Sequence, residues 1–216
     1  MSPVVVVPLG AWEQHGPHLP SDTDTLIISA VAATAVARFP GVVLAPTLPI
    51  TASDEHHGFG ATLSIGTGAF ASSVVAIARS AQWAAGVLFV NGHGGNADGL
   101  AMAREAMDHE GLRHDVWSLP LYDGADMHAG RTETSVMLHL HPGLVDMSLA
   151  TAGNTAPLDD IIEPMRTGGV RSVSGNGVLG DATTASASHG HAVFDMWVAS
   201  LAQRLGSVTA EWQRHA

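Results

Sequence analysis

Twelve residues near the amino terminus, Glu13-Gln14-His15-Gly16-Pro17-His18-Leu19-Pro20-Ser21-Asp22-Thr23-Asp24, hold two imidazoles and three carboxylates. So many nitrogen and oxygen donors in one loop suit a divalent cation, and a sulfur-free set accepts Zn, Mn or Fe(II) alike. Glu13 and His15 are two apart, so in an extended chain both side chains leave on one side. Gly16, Pro17 and Pro20 bend the segment and let Asp24 return toward the same point. Two further groups carry comparable chemistry. One is Asn91-Gly92-His93-Gly94-Gly95-Asn96; the other runs from Asp126 to Ser135, with His128 and Glu133 five apart across a loop-to-helix junction. That pair suits one carboxylate on a metal and one imidazole beside it as acid or base. His56, His57, Gly94, Gly95 and Asn96 are the expected pocket residues, and Glu55 or Asp126 the expected acceptors for ligating imidazoles.

Each of these residues also has an ordinary use. Glu13 can partner a helix cap, Asp24 can be an N-cap and His15 an exposed loop residue. Glycines like those around His93 occur in any strand-to-helix turn, and Glu133 is favoured in a first helical turn. The glycine-rich run from Ser174 to Asp181 fits a pocket wall or a plain structural loop equally. His139 and His141 read as surface residues near a helix end, and His109, His114 and His215 as solvated. The joint occurrence of three ligand-rich groups favours one shared site.

The elements that must position them alternate. Apolar runs at 3–9, 42–45, 86–90 and 113–117 read as strands. Helices are expected at about 24–39, with Asp22, Thr23 or Asp24 as N-cap, and at 69–84, 96–110, 132–141 and 190–205. Residues 150–188 show little periodicity and read as ordered loop. Strands alternating with helices predict parallel βαβ units in a three-layer α/β/α sandwich, with one domain over 1–216. In such sheets ligands gather at the carboxyl ends of strands, where the 13–24 and 91–96 loops begin.

Composition narrows the function. Nine arginines and no lysine stand against 20 acidic residues, a net charge of -11, which disfavours nucleic acid and anionic membranes as partners. The absence of cysteine excludes disulfides, thiolate zinc sites and thiol nucleophiles. No apolar run approaches the roughly 18 residues of a membrane span, and no charged segment precedes a signal core, so a cytoplasmic protein is expected. Neither a phosphate-binding glycine motif nor a GxSxG elbow is present. Metal-assisted hydrolysis remains.

The segment Glu13 to Pro20 with Thr23-Asp24-Thr25, the Asn91 to Asn96 loop and the His128 to Ser135 segment, in that order, resemble the motifs of the creatininase family of metal-dependent amidohydrolases. The resemblance covers about residues 4–205. It implies two divalent ions bridged by Asp24, with Glu13 and His93 completing one set and His15 and a second Glu the other. Creatininase proper takes that Glu from two positions after the motif His; Gly94-Gly95 stand there instead, and the role passes to Glu133. The tryptophans that close over creatinine have no match at 124–130, which disfavours creatinine as substrate. The Gly10-Ala11-Trp12 lead-in and the Ser174 to Asp181 loop most resemble the mycofactocin-system branch, whose members cleave a modified C-terminal Val-Tyr dipeptide from a precursor peptide. His128 is then the expected proton donor to the leaving nitrogen. The family also implies a homo-oligomer, a hexamer among the arrangements it allows. Cyclic-amide or formamide hydrolysis is the alternative within the family, and a non-catalytic metal-binding scaffold the alternative outside enzymes.

Overall fold

Strand β1 (Val4–Leu9) is buried along its whole length because helices cover both of its faces. Its side chains alternate between two cores: Val4 and Val6 join one, Val5, Val7 and Leu9 the other. The computed structural model describes residues 2–214; His215 lies outside them. Four parallel strands, β1, β2 (Val43–Leu44), β3 (Gly86–Asn91) and β4 (His114–Ser118), stand in the order β2-β1-β3-β4. Val5 is opposite Val43 on one side and Val87 on the other.

The first core takes Ile28 and Val31 of helix α1 (Thr23–Val36), Val136 and Met137 of α4 (Arg131–Leu140), and Trp197 and Leu201 of α6 (Ala187–Arg214). The second takes Phe70 and Val74 of α2 (Thr67–Ser80) and Leu100 and Met107 of α3 (Ala97–His109). The predicted three-layer α/β/α sandwich is therefore the observed architecture. Each fully buried Val or Leu contributes roughly 1.5–3 kcal/mol toward holding the layers together. The chain leaves β1 for β2 on one side and then reaches β3 on the other, so the loops after β1 and β3 part at a topological switch point. No described helix is long and apolar enough to cross a membrane.

Three expectations need correction. Residues 150–188 contain a helix, α5 (Leu158–Gly168), whose Ile161 and Met165 pack with Val170 and Leu179. Pro164 inside it disguises the helical period. Helix α6 continues well beyond 205, because Val208 and Trp212 extend its apolar stripe past Gly206. His114 is not solvated: its side chain is 6% exposed on β4, with Nδ1 donating to the Leu112 carbonyl.

Candidate metal centre

The loop after β1 is closed on itself. Glu13 N–H donates to the Ser21 carbonyl at 2.9 Å, and Thr25 Oγ1 donates to the Ala11 carbonyl at 2.9 Å. Gly10 permits this crossing, since a Cβ there would stand 2.6 Å from Thr25 Cα. Asp24 consequently arrives in the first turn of α1 beside Glu13 and His15. No side chain of Asp22 caps the helix, and Thr23 Oγ1 donates to the Pro20 carbonyl. Asp22 thus holds the expected N-cap position through its backbone alone, and Asp24 is turned inward, 3% exposed.

Residues from three loops converge. Asp24 Oδ1 lies 3.2 Å from His15 Nε2, and Asp24 Oδ2 lies 3.1 Å from His93 Nδ1. Glu13 Oε2 is 3.1 Å from His93 Nε2, and Glu133 Oε2 is 3.7 Å from His15 Nε2. Helix α4 delivers Glu133. Its start is held by Asp126, which accepts from the Arg131 and Thr132 N–H groups, and Ala129 N–H donates to Glu133 Oε2 at 2.6 Å. Asp126 therefore serves the helix rather than an imidazole.

Carbonyl oxygens only accept, so they determine which ring nitrogens carry hydrogen. His15 Nδ1 donates to the Glu13 carbonyl at 3.1 Å, and His93 Nε2 donates to the Ala52 carbonyl at 2.8 Å. In the neutral rings that bind a metal, the lone pairs of His15 Nε2 and His93 Nδ1 face Asp24; with no ion, those nitrogens carry the protons that Asp24 attracts.

Gln14 organises a second pair of rings. Its Oε1 accepts from Gly16 N–H and its Nε2 donates to the Gly177 carbonyl, which orients the amide. Nε2 also reaches His56 Nδ1 at 2.9 Å, while the Gln14 carbonyl accepts from His128 Nε2 at 2.8 Å. His128 Nδ1 is left facing the cavity, 3.5 Å from Glu13 Oε1. Gly177 must lack a side chain here, since a Cβ would stand 2.6 Å from Gln14 Nε2 and φ is +79°. The Ser174 to Asp181 loop also pairs with the His128 backbone through Leu179.

The charges follow from this packing. Burial works against ionised Asp24 and Glu13, yet the imidazoles beside them hold both carboxyls below their usual range. Burial likewise opposes charge on His15, but Asp24 prevails and raises it to about 10; His93 is raised in the same way by Glu13 and Asp24. Burial pushes Glu133 up to about 7. For His128, burial and the neighbouring His15 imidazole act together to keep its pKa well below the usual imidazole range.

This environment fits divalent ions. Glu13 Oε1, Glu13 Oε2 and Asp24 Oδ2 are buried, and none has a hydrogen-bond partner among the described residues, despite the imidazole nitrogens close by. Buried carboxylate oxygens need such a partner or a cation. Four groups converge tightly enough to share an ion: Glu13 with His15 and His128, Glu13 with Glu55 and His56, Glu13 with Asp24 and His93, and His15 with Asp24 and Glu133; the last two form the pair joined by one carboxylate. Asp24 belongs to both.

The remaining sequence candidates divide. His56, Gly94 and Gly95 line a cavity of about 120 Å³ together with Glu13, Asp24 and His93. His57 is exposed at the edge of an adjoining cleft of about 610 Å³. Asn96 turns inward instead, joining Ala52 N–H, Asn91 Oδ1 and the Gly10 carbonyl. A third pocket of about 230 Å³, lined in part by Leu119, Tyr122 and Trp197, shares His93 and Glu133 with the 120 Å³ cavity. The role of Gln14 was not apparent from sequence, because the partners of its Nε2 at His56 and Gly177 are 42 and 163 residues away. Nor was that of His18, buried against Thr134 Oγ1 at 2.8 Å.

Fold and donor set together define a three-layer α/β protein with a buried carboxylate–imidazole centre at a sheet switch point. Residues 1–205 match the family model described as "Creatininase: Creatinine amidohydrolase". The chain is 47% identical over 211 residues to the mycofactocin precursor peptide peptidase of Mycolicibacterium smegmatis, covering 95% of this chain and 85% of that protein. It is 46% identical over 214 residues to that of Mycobacterium tuberculosis strain H37Rv, covering 94% and 85%. A solved structure described as "Creatininase Mn" is 25% identical with a TM-score of 0.76, covering 94% of this chain and 90% of that one. This chain belongs to the creatininase family and is a hydrolase of C–N amide bonds.

Proposed function

We propose that this chain is a metal-dependent peptidase that releases the modified C-terminal Val-Tyr dipeptide from the mycofactocin precursor peptide. Identity of 47% to a peptidase of that name supports the substrate. The observation that carries the chemistry is the pair of donor triads sharing Asp24.

In this reading Glu13, Asp24 and His93 hold one divalent ion, and His15, Asp24 and Glu133 hold the other. Zn, Fe(II) and Mn all suit these donors, and the Mn in the description of the creatininase structure is in keeping with them. Two ions so held would supply Lewis acidity and bring the pKa of a bound water down to about 7. His128 moves the proton. Being neutral, it accepts hydrogen from the attacking water at Nδ1 and returns it to the departing nitrogen as the C–N bond breaks.

The 230 Å³ pocket with Leu119, Tyr122 and Trp197 suits the apolar, aromatic dipeptide, and the 610 Å³ cleft suits the precursor side. The proposed working form is a cytoplasmic homo-oligomer, as family membership implies, and sedimentation of the loaded chain checks its size.

The test is to incubate metal-loaded protein with the decarboxylated, crosslinked precursor peptide and read products by mass spectrometry, beside a chelator-treated control. Dipeptide release only with metal is the expected result. No cleavage by protein carrying two ions would overturn the substrate and direct attention to formamides and lactams. Unchanged metal content in Glu133→Gln would overturn its place as a ligand.

A further inference from the structure

Beside the two triads stands a carboxylate that neither uses. Glu55 sits in the short turn Asp54–His56, and its Oε1 lies 3.4 Å from His93 Nε2 and forms a converging group with Glu13 and His56. Its side chain is 27% exposed and stands where the 120 Å³ cavity meets the 610 Å³ cleft, lining both. Gly95 admits it. A Cβ at position 95 would overlap Glu55 Oε1 and stand 2.6 Å from Glu55 Cδ. The turn is braced from behind by Gly169, where a Cβ would lie 2.6 Å from the Glu55 carbonyl oxygen.

Orienting His93 does not require this carboxylate, because the Ala52 carbonyl already accepts from His93 Nε2 at 2.8 Å. Glu55 instead faces Glu13, which is wholly buried and has both oxygens unpartnered among the described residues. Two carboxylates converging on one small cavity repel unless a cation lies between them. Resting on the two-ion reading above, we propose that Glu55 is a fourth protein ligand to the ion held by Glu13, Asp24 and His93. It reaches that ion through the space left by the missing side chain at Gly95.

The test strips the full chain with a chelator, titrates it with Mn²⁺, and counts free ion by electron paramagnetic resonance for the parent, Glu55→Gln and Gly95→Ala. Gln keeps an acceptor oxygen but loses the charge. Gly95→Ala keeps the charge but displaces it. The parent is expected to take two ions. Both variants are expected to weaken one of the two by more than the roughly 10- to 100-fold cost of losing a group that only orients a ligand. Two ions bound by Glu55→Gln at parental affinity would overturn the proposal and leave the two-ion reading standing. A parent that takes no ion would overturn both. Circular dichroism of the stripped variants separates a ligand loss from a folding defect, and a Gly95→Ala chain that fails to fold leaves Glu55→Gln to decide.

Discussion

The carboxylate of Asp24 and the ring of His93 meet across the gap between the β1 and β3 loops, with Oδ2 3.1 Å from Nδ1. The two residues are 69 positions apart, and only the parallel pairing of β1 with β3 brings them together. Because Asp24 also faces His15, Asp24→Asn removes charge from both triads at once. Bound divalent ion is expected to fall from two per chain to one or none, and elemental analysis of purified protein measures it. Two ions retained would remove Asp24 as the shared ligand.

His128 is held by the Gln14 carbonyl and by backbone pairing to Leu179, with Nδ1 toward the cavity. As the proton carrier, its replacement by Ala should lower kcat by roughly 100-fold or more while ion content stays the same. Full activity in that variant would take the imidazole out of the reaction.

Gly10 lets the end of β1 cross the start of α1. A methyl there presses on Thr25 backbone and displaces Asp24 from Glu13. Gly10→Ala is expected to lose about 1–3 kcal/mol of stability together with metal affinity, the usual range for overpacking. Denaturant melts and ion titration check the two effects separately.

Metal-free protein should be sensitive to alkali. His15 is raised from 6.5 to about 10 in the fold, so the stability it lends is complete below about pH 6.5 and lost as pH rises toward 10. Glu133, raised from 4.5 to about 7, adds a loss of its own as pH rises between those values. Metal-loaded protein carries ions where those protons sit, and its affinity for them grows as ligands deprotonate. Thermal melts from about pH 6 to 10 should show a falling Tm after chelation and a flatter profile with Mn²⁺. Parallel profiles would contradict the shared occupancy.

Much of this was legible in the chain itself. Continuous apolar runs marked β1 and β3 as buried strands, and the density of His, Asp and Glu after them marked the ligand loops, since both signals are local. Residues 13, 15, 24, 93 and 133 were singled out as a set by resemblance to the creatininase motifs, since local spacing alone leaves each an ordinary structural use. Helix α5 was missed, because Pro164 interrupts the local pattern while contacts with Val170 and Leu179 sustain the helix.

What the tertiary structure decided depends on distances between remote parts of the chain. It set which nitrogen of each imidazole faces inward, because the carbonyls of Glu13, Ala52 and Gln14 accept from the other. It turned Asn96 away from the cavity, joined Gln14 to His56 and Gly177, and brought the Glu55 carboxylate into the space beside Gly95. Residue types carry the chemistry a chain can perform; the sheet order β2-β1-β3-β4 and the close packing of its loops select which of them meet.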